Sequence, residues 1–294
     1  MNMDITRTLP EECIANIISG TSPRDACRLS LVSRAFKSIA TSNLVWGRFL
    51  PPDCQEIISS SSSSSSLNML TKKNLYFHLC DNPILIGNSN NMSFQIDKLC
   101  GKKCLMLAAR ELSIIWGSGD TPQYWKWISS TRSPVLPKSR FSEVAHLRIV
   151  YWLDIKGIIE TKILSPKTKY GAYFIYSMVD GFYGFNVPVK VSIRLENEEE
   201  GGDATNAYLN PRMRSGTHDR QRSNEELLQI NRLDGRLPIK RVDMWMEIEI
   251  GEFFNGSQVD DHGVVEMCLK EVQVLNGKSG LVVHGIELRP KEES

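Results

Sequence analysis

The hydrophobic pattern of this chain changes period partway along. In the first fifty residues it is helical. Ile14, Ile17 and Ile18 fall at i, i+3, i+4, and Leu29, Val32 and Phe36 at i, i+3, i+7, spacings that gather apolar side chains on one helix face. Ser22-Pro23-Arg24-Asp25 reads as an N-cap serine with proline at the first helical position. Leu44-Val45-Trp46 closes the segment before Pro51-Pro52. These signals predict three short helices over 5–50, marginal by themselves, with apolar surface left for a partner.

Ser59 to Ser66 is a run of eight serines. Such a run buries nothing to offset its ordering entropy, so 55–66 is expected to be a flexible linker. A helical connector over 67–91 is predicted next, with Leu67 to Cys80 as its helix. From about residue 92 the period becomes two. Ala145, Leu147, Ile149, Tyr151, Leu153 and Ile155 alternate with His146, Arg148, Val150, Trp152 and Asp154. Val187 to Leu195 and Val242 to Ile250 alternate in the same way. Strands with one wet face imply antiparallel sheets. Several of them over 92–290 predict a sandwich or jelly roll, interrupted by a long loop at 196–236 that is rich in both charge signs. The fold class expected is α+β by segment: a small three-helix module, then a mainly antiparallel β-sandwich.

Composition narrows the function. The chain has 294 residues, 23% charged and 41% hydrophobic, with a formal net charge of +1. This is ordinary globular usage, and it supplies no field favouring nucleic acid or an acidic membrane. No apolar run approaches the ~20 residues of a membrane span, and the first eighteen residues have neither the basic nor the apolar region of a secretory signal. The seven cysteines are odd in number, and Cys100-x3-Cys104 lacks a second ligand pair, so reduced thiols without a metal or cofactor are expected. Asn91-Met-Ser93 and Asn255-Gly-Ser257 are glycosylation patterns that matter only in a secretory compartment. The expected location is the cytoplasm or nucleus. No HExxH, GxSxG or P-loop occurs, and Gly117-Ser118-Gly119-Asp120-Thr121-Pro122 reads as a turn. Glu247, Glu249 and Glu252 read as a solvated acidic edge rather than glycosidase acids, so no enzymatic activity is expected.

One stretch stands apart. Glu111 to Trp127, ELSIIWGSGDTPQYWKW, carries three of the six tryptophans, plus Tyr124, beside the Gly/Pro turn. Rings beside a loop either form a platform for a flat, amphipathic ligand or pack the end of a sandwich. The residues alone leave both open.

The segment LPEECIANIISGTSPRDACRLSLVSRAFKSIATSNLVWGRFL, Leu9 to Leu50, resembles an F-box. The resemblance rests on Leu9-Pro10, the isoleucine face, the Arg28-to-Arg34 core and Val45-Trp46. It implies docking on a Skp-type adaptor within a cullin-RING ubiquitin ligase, through Leu9, Pro10, Ile14, Ile17, Ile18, Leu29, Val32, Phe36, Val45 and Trp46.

From about Lys103 to Pro290 the chain resembles the phloem protein 2, or Nictaba-like, lectins of plants. The carriers are ARELSIIWGSGDTPQYWKW, VAHLRIVYWLDIKGIIETKILSPKTKYGAYFIY, WMEIEIGEFF, VVEMCLKEV and GLVVHGIELRP. Joining an F-box to this domain is an arrangement of that plant family. The resemblance implies a carbohydrate site that uses Trp116, Trp125 and Glu271, with N-acetylglucosamine oligomers or high-mannose glycans as ligands. A second family glutamate aligns with Val264, which is no acceptor. The implied function is a substrate-recognition subunit of the ligase whose sandwich holds a protein or glycoprotein target. The alternatives are a stand-alone lectin and a lectin-fold module that binds protein without sugar.

Overall fold

Four hydroxyl side chains set where the N-terminal helices begin. Ser22, Ser33, Ser42 and Thr71 accept hydrogen bonds from the backbone N–H groups of Asp25, Phe36, Val45 and Asn74 at 3.1–3.4 Å, satisfying donors that a helix start leaves over. In a computed structural model of the chain, residues 9–117, 121–129, 136–196, 204–210, 234–256 and 263–291 are described. The turn positions Ser118 to Asp120 and most of the charged 196–236 segment lie outside them. The described residues divide along the chain between Leu105 and Met106 into two compact units.

The first unit holds seven helices among the described residues: α1 (Glu11–Ser19), α2 (Pro23–Leu29), α3 (Arg34–Ala40), α4 (Asn43–Phe49), α5 (Cys54–Ser59), α6 (Ser64–Leu67) and α7 (Lys72–Asp81). An antiparallel pair follows, β1 (Ile84–Ile86) with β2 (Met92–Ile96). Where three helices are predicted before residue 50, four form. The Leu29/Val32/Phe36 periodicity spans a break, because α2 ends at Leu29 and the Ser33 cap starts α3. The serine tract also differs from its expectation as a flexible linker. It lies within and between α5 and α6, flanked by buried Ile58 and Leu67. The Ser59, Ser60 and Ser66 hydroxyls donate to carbonyls three residues back at 2.7–2.9 Å, so local hydrogen bonds and two apolar anchors order a segment that buries little else. The helix expected over Leu67 to Cys80 starts later, at the Thr71 cap.

Trp46 is the centre of this unit. It is fully buried, its Nε1 donates to the Ala40 carbonyl at 2.7 Å, and its ring lies 5.5, 5.2 and 5.1 Å from those of Phe49, Tyr76 and Phe77. It thereby fastens α4 to α7.

The second unit is the expected sandwich. One sheet places the end of β3 (Lys103–Ala108) beside β14 (Ser279–Pro290), then β8 (Thr168–Tyr183), β12 (Met246–Asn255) and β11 (Ile239–Lys240). β6 (Glu143–Leu147) also pairs with β14, and β5 (Trp125–Ser129) with β6. The other sheet runs β10 (Thr205–Ala207), β9 (Val189–Leu195), β13 (Val264–Glu271), β7 (Leu153–Glu160), β4 (Ser113–Ile114). The faces meet closely at two glycines. A Cβ on Gly157 of β7 would stand 2.9 Å from Ile286 of β14, and one on Gly251 of β12 would stand 3.1 Å from Ile193 of β9; the absence of a side chain at each lets the sheets approach.

Two strands differ from the periodicity. Residues 145–155 do not form one strand. β6 joins the first sheet and β7 the second, and residues 148–152 cross between them, leaving Ile149, Tyr151 and Trp152 exposed. The alternation runs on because both strands keep the same phase, and period two carries no information about which sheet a residue joins. β12 begins at Met246, not Val242, because Arg241 to Trp245 form a turn closed by Met244 N–H to the Arg241 carbonyl at 3.1 Å. The acids of β12 are not a free edge either. Glu247 bonds Arg241 (2.9 Å) and Arg289 (3.0 Å), Glu249 bonds Lys291 (2.8 Å), and Glu252 pairs with Lys169 and Lys291. No helix of the described residues is long and apolar enough to cross a membrane.

His284 on β14 is buried in this unit. Its ring stacks on Trp245 at 4.3 Å and meets Phe141 edge-on at 5.5 Å, and its Nε2 shares a hydrogen bond with the Ser139 hydroxyl at 3.1 Å. Burial first, then the Arg140 and Arg241 charges, hold its pKa well below the usual histidine value.

Two outcomes are expected. Trp46→Ala destabilises the helical unit by about 3–5 kcal/mol, read as an earlier helical transition in a urea melt followed by circular dichroism. Below about pH 6.5 the unfolded chain protonates His284 while the folded chain does not, so stability falls as pH drops, by up to about 1.4 kcal/mol per pH unit from this group. His284→Phe keeps the stacking and removes that contribution, so the pH 5–6.5 slope in urea melts should flatten by that amount.

Candidate functional site

The second unit contains a cavity of about 460 Å³ lined by Trp116, Tyr124, Val150, Tyr151, Trp152 and Leu275. Four of the six are aromatic, and the six together come from four places in the chain. β4 is short because the chain turns away at once: after Ile115 N–H bonds the Asp154 carbonyl (3.0 Å), Gly117 N–H closes back on Ile114 O (2.9 Å). A Cβ on Gly117 would lie 2.8 Å from that of Ile114, so the turn excludes larger residues there.

The turn places Trp116 at φ +62°, a left-handed conformation that costs a bulky residue roughly 1–3 kcal/mol. It is held from two sides. The Thr121 hydroxyl donates to the Trp116 carbonyl (2.6 Å), and Trp127 Nε1 donates to Gly117 O (3.1 Å). Trp127 is itself covered by the Arg110 guanidinium, 3.6 Å above its ring, and Arg110 is fixed by Glu143 at 2.8 Å. The Trp116 ring is 47% exposed and lies 5.6 Å from that of Tyr124. The Tyr124 carbonyl takes the Arg148 N–H at 2.8 Å, which brings the 148–152 crossing alongside.

The backbone of the ring-bearing segments meets a buried ion pair. Lys278 is 1% exposed, and its ammonium donates to Tyr151 O (2.9 Å), Val274 O (3.1 Å) and Asn276 O (3.0 Å) besides pairing with Glu271. Glu271 Oε1 accepts from the Gln273 and Val274 N–H groups at 3.0 and 2.7 Å. The Lys278 backbone also exchanges hydrogen bonds with Val150 at 3.0 and 2.7 Å.

The residues expected at a carbohydrate site therefore separate. Trp116 lines the cavity. Trp125 is 3% exposed, does not line it, and its Nε1 has no hydrogen-bond partner among the described residues. Glu271 is 6% exposed and faces inward in phase with Val265, Met267 and Leu269. Val264 is in the opposite phase and pairs with Glu160 at the far end of β13, whereas Glu271 pairs with Leu153. Seven residues of strand span roughly 23 Å, so the side chain at 264 lies at the opposite end of β13 from Glu271 and on the other face. Tyr124 belongs to the ring-rich stretch that the sequence singles out, whereas Val150, Tyr151, Trp152 and Leu275 are not found by sequence reasoning. One signal was available: the adjacent pair Tyr151-Trp152 cannot point both rings into a core from one strand.

The expected adaptor-binding residues of the first unit also divide. Ile14, Ile18, Val45 and Trp46 are buried in its own core. Leu9, Leu29 and Phe36 are half-buried, and Pro10, Ile17 and Val32 are exposed. Leu31, 85% exposed beside Val32 at 65%, belongs with the exposed group. No cluster of metal-ligating side chains occurs among the described residues, and the cysteines are free thiols.

Comparison with known proteins agrees with both halves. The family profile described as phloem protein 2 matches residues 102–290, and one described as F-box-like matches residues 6–52. The chain is 41% identical to "F-box protein PP2-B10" of Arabidopsis thaliana, covering 96% of this chain and 93% of that one. It is 40% identical to "F-box protein PP2-B15" of the same plant, covering 96% of each. A mannanase structure, the Podospora anserina GH26-CBM35 protein, aligns at 8% identity and a TM-score of 0.32 over 65% of this chain and 28% of its own, too distant to bear on the site. With its first helices matching an F-box and its sandwich matching over well more than half the chain, the chain belongs to the phloem protein 2 family and carries an F-box-like segment ahead of the family domain.

Proposed function

We propose that this protein is the substrate-recognition subunit of a Skp–cullin–RING ubiquitin ligase, working in the cytoplasm or nucleus. Its helical unit docks on a Skp-type adaptor, and its sandwich holds the target through the Trp116–Trp152 cavity. Tethering then raises the effective concentration of target lysines near the charged ubiquitin-conjugating enzyme. The observation that carries the targeting half is the cavity itself: four aromatic side chains, Trp116 among them held in a strained frame, around a space that fits a sugar ring or two. Indole and phenol faces suit the axial C–H face of an N-acetylglucosamine unit, burying apolar area on both partners. Docking is supported by Ile17, Leu31 and Val32, aliphatic side chains that the helical unit leaves in water.

A second reading is favoured by Val150 and Leu275, which give part of the cavity wall an aliphatic rather than polar character. On that reading the cavity takes an apolar side chain of a protein target.

Three measurements test these statements. Leu31→Asp with Val32→Asp should abolish capture by a purified Skp-type adaptor while leaving the helical melt unchanged, since interface anchors commonly contribute about 2 kcal/mol each. Undiminished capture overturns the docking reading. In calorimetry with triacetylchitotriose, Trp116→Ala and Trp152→Ala should each weaken binding about tenfold to thirtyfold, equivalent to roughly 1.4–2 kcal/mol. Val264→Glu should change nothing, and absence of binding by the unaltered protein favours the protein-target reading.

A further inference from the structure

The cavity is lined by connecting segments rather than strand interiors, and rings on connections keep their spacing only if the backbone beneath is fixed. Residues 148–152 and 272–278 carry four of the six lining side chains. Between the two sheets these segments have carbonyls that no ladder takes up, and a buried carbonyl without a donor is costly. Lys278 supplies the donors. Its ammonium reaches Tyr151 O in one segment and Val274 O and Asn276 O in the other, at 2.9–3.1 Å. A buried ammonium needs a counter-charge, and Glu271 provides it while also accepting the Gln273 and Val274 N–H groups.

Every lining residue of the two segments is thereby within one position of an anchored backbone atom. Val150 is bridged to Lys278, the Tyr151 carbonyl accepts from the Lys278 ammonium, Trp152 follows it, and Leu275 lies between Val274 and Asn276. One Glu271 oxygen accepts two amides, and the other, buried, faces the ammonium in the ion pair without a further hydrogen-bond donor among the described residues. Reaching a ligand would require breaking the pair and leaving Lys278 buried and uncompensated.

We propose that Glu271 and Lys278 are positioning residues of the cavity: they touch no ligand, and as a pair they lock the two ring-bearing segments at the separation that forms it. The corollary is a site without formal charge. The pair neutralises itself beneath the floor and the lining is uncharged, so the site takes uncharged ring faces. The word "ligand" here rests on the proposed function, but the locking can be measured without one.

The experiment uses the whole chain and the variants Glu271→Gln, Lys278→Met and both together. Amide hydrogen exchange is followed in 148–152, in 272–278, and in β8 as an internal standard for global opening. Triacetylchitotriose affinity is measured in parallel. Each single change should speed exchange in the two segments about tenfold or more with β8 unaltered. Both should weaken binding to a similar degree, and the double change should be no worse than the worse single, as expected for groups acting as one unit. Loss of binding in Glu271→Gln with segment exchange unaltered, or with Lys278→Met binding normally, would make Glu271 a ligand acceptor and overturn the proposal. Unaltered exchange in both singles, or exchange that rises equally in β8, also overturns it. If the unaltered protein does not bind the trisaccharide, the glycan reading fails and exchange alone decides the positioning role. If Lys278→Met does not fold, Glu271→Gln decides it, because the Gln273 and Val274 amides donate to Glu271 itself.

Discussion

A chain that passes from one packed sheet to another must hydrogen-bond backbone groups that neither sheet's ladder accepts, and in this sandwich that constraint fixes the architecture of the site. Residues 148–152 make such a passage. The Arg148 N–H goes to Tyr124 and Val150 bridges to Lys278, so two of its backbone positions are taken by neighbouring connections. The Tyr151 carbonyl is taken by a side chain, and the ammonium that does so brings a carboxylate with it. The outward side of the same segment is thereby left to large rings, since its inward side is fully occupied with polar accounting. The cavity is in this sense the reverse face of a hydrogen-bonding solution.

The first sheet handles charge differently. Glu247, Glu249, Glu252 and Glu287 interleave with Arg241, Arg289, Lys291 and Lys169 across β8, β12 and β14, and Arg289 lies 3.8 Å over the Tyr173 ring. Each carboxylate has a cation, and Lys169 and Lys291 hold the Glu252 carboxyl below its ordinary range through hydrogen bonds. Acids so engaged are poorly placed for proton transfer, in keeping with a role in holding strands together. Charge on the sandwich thus serves geometry in both places: partly solvated along one sheet, and fully buried at the crossing.

Much of this was legible in the sequence. The helical isoleucines, the Ser22-Pro23 start, the change to period two and the tryptophan-rich stretch all correspond to features of the fold, and the two resemblances agree with the family matches. What escaped has physical reasons. Period two runs through Leu147 to Leu153 unbroken although the chain changes sheet there, because a crossing of five residues preserves phase. The buried status of Glu271 depends on Lys278, seven positions away across a turn, and no local pattern pairs them. Trp46 reads equally well as an interface anchor or a core residue until Ala40, Phe49, Tyr76 and Phe77 are seen around it. The serine tract has the composition of a spacer, and its flanking Ile58 and Leu67, with local hydroxyl-to-carbonyl hydrogen bonds, anchor it.

Trp116 sits where glycine would be the comfortable residue. Its backbone, at φ +62°, costs an indole-bearing residue roughly 1–3 kcal/mol that glycine would escape in the folded state, against the ~0.5–1 kcal/mol of extra chain entropy that glycine loses on folding. A sequence shaped by stability alone would therefore gain little by keeping tryptophan there, all the more because half of the ring faces water and buries nothing within the chain. Stability and the exposed ring pull in opposite directions at this one position, and the ring has prevailed. Under the proposed function, that ring is what the strained backbone presents to a ligand.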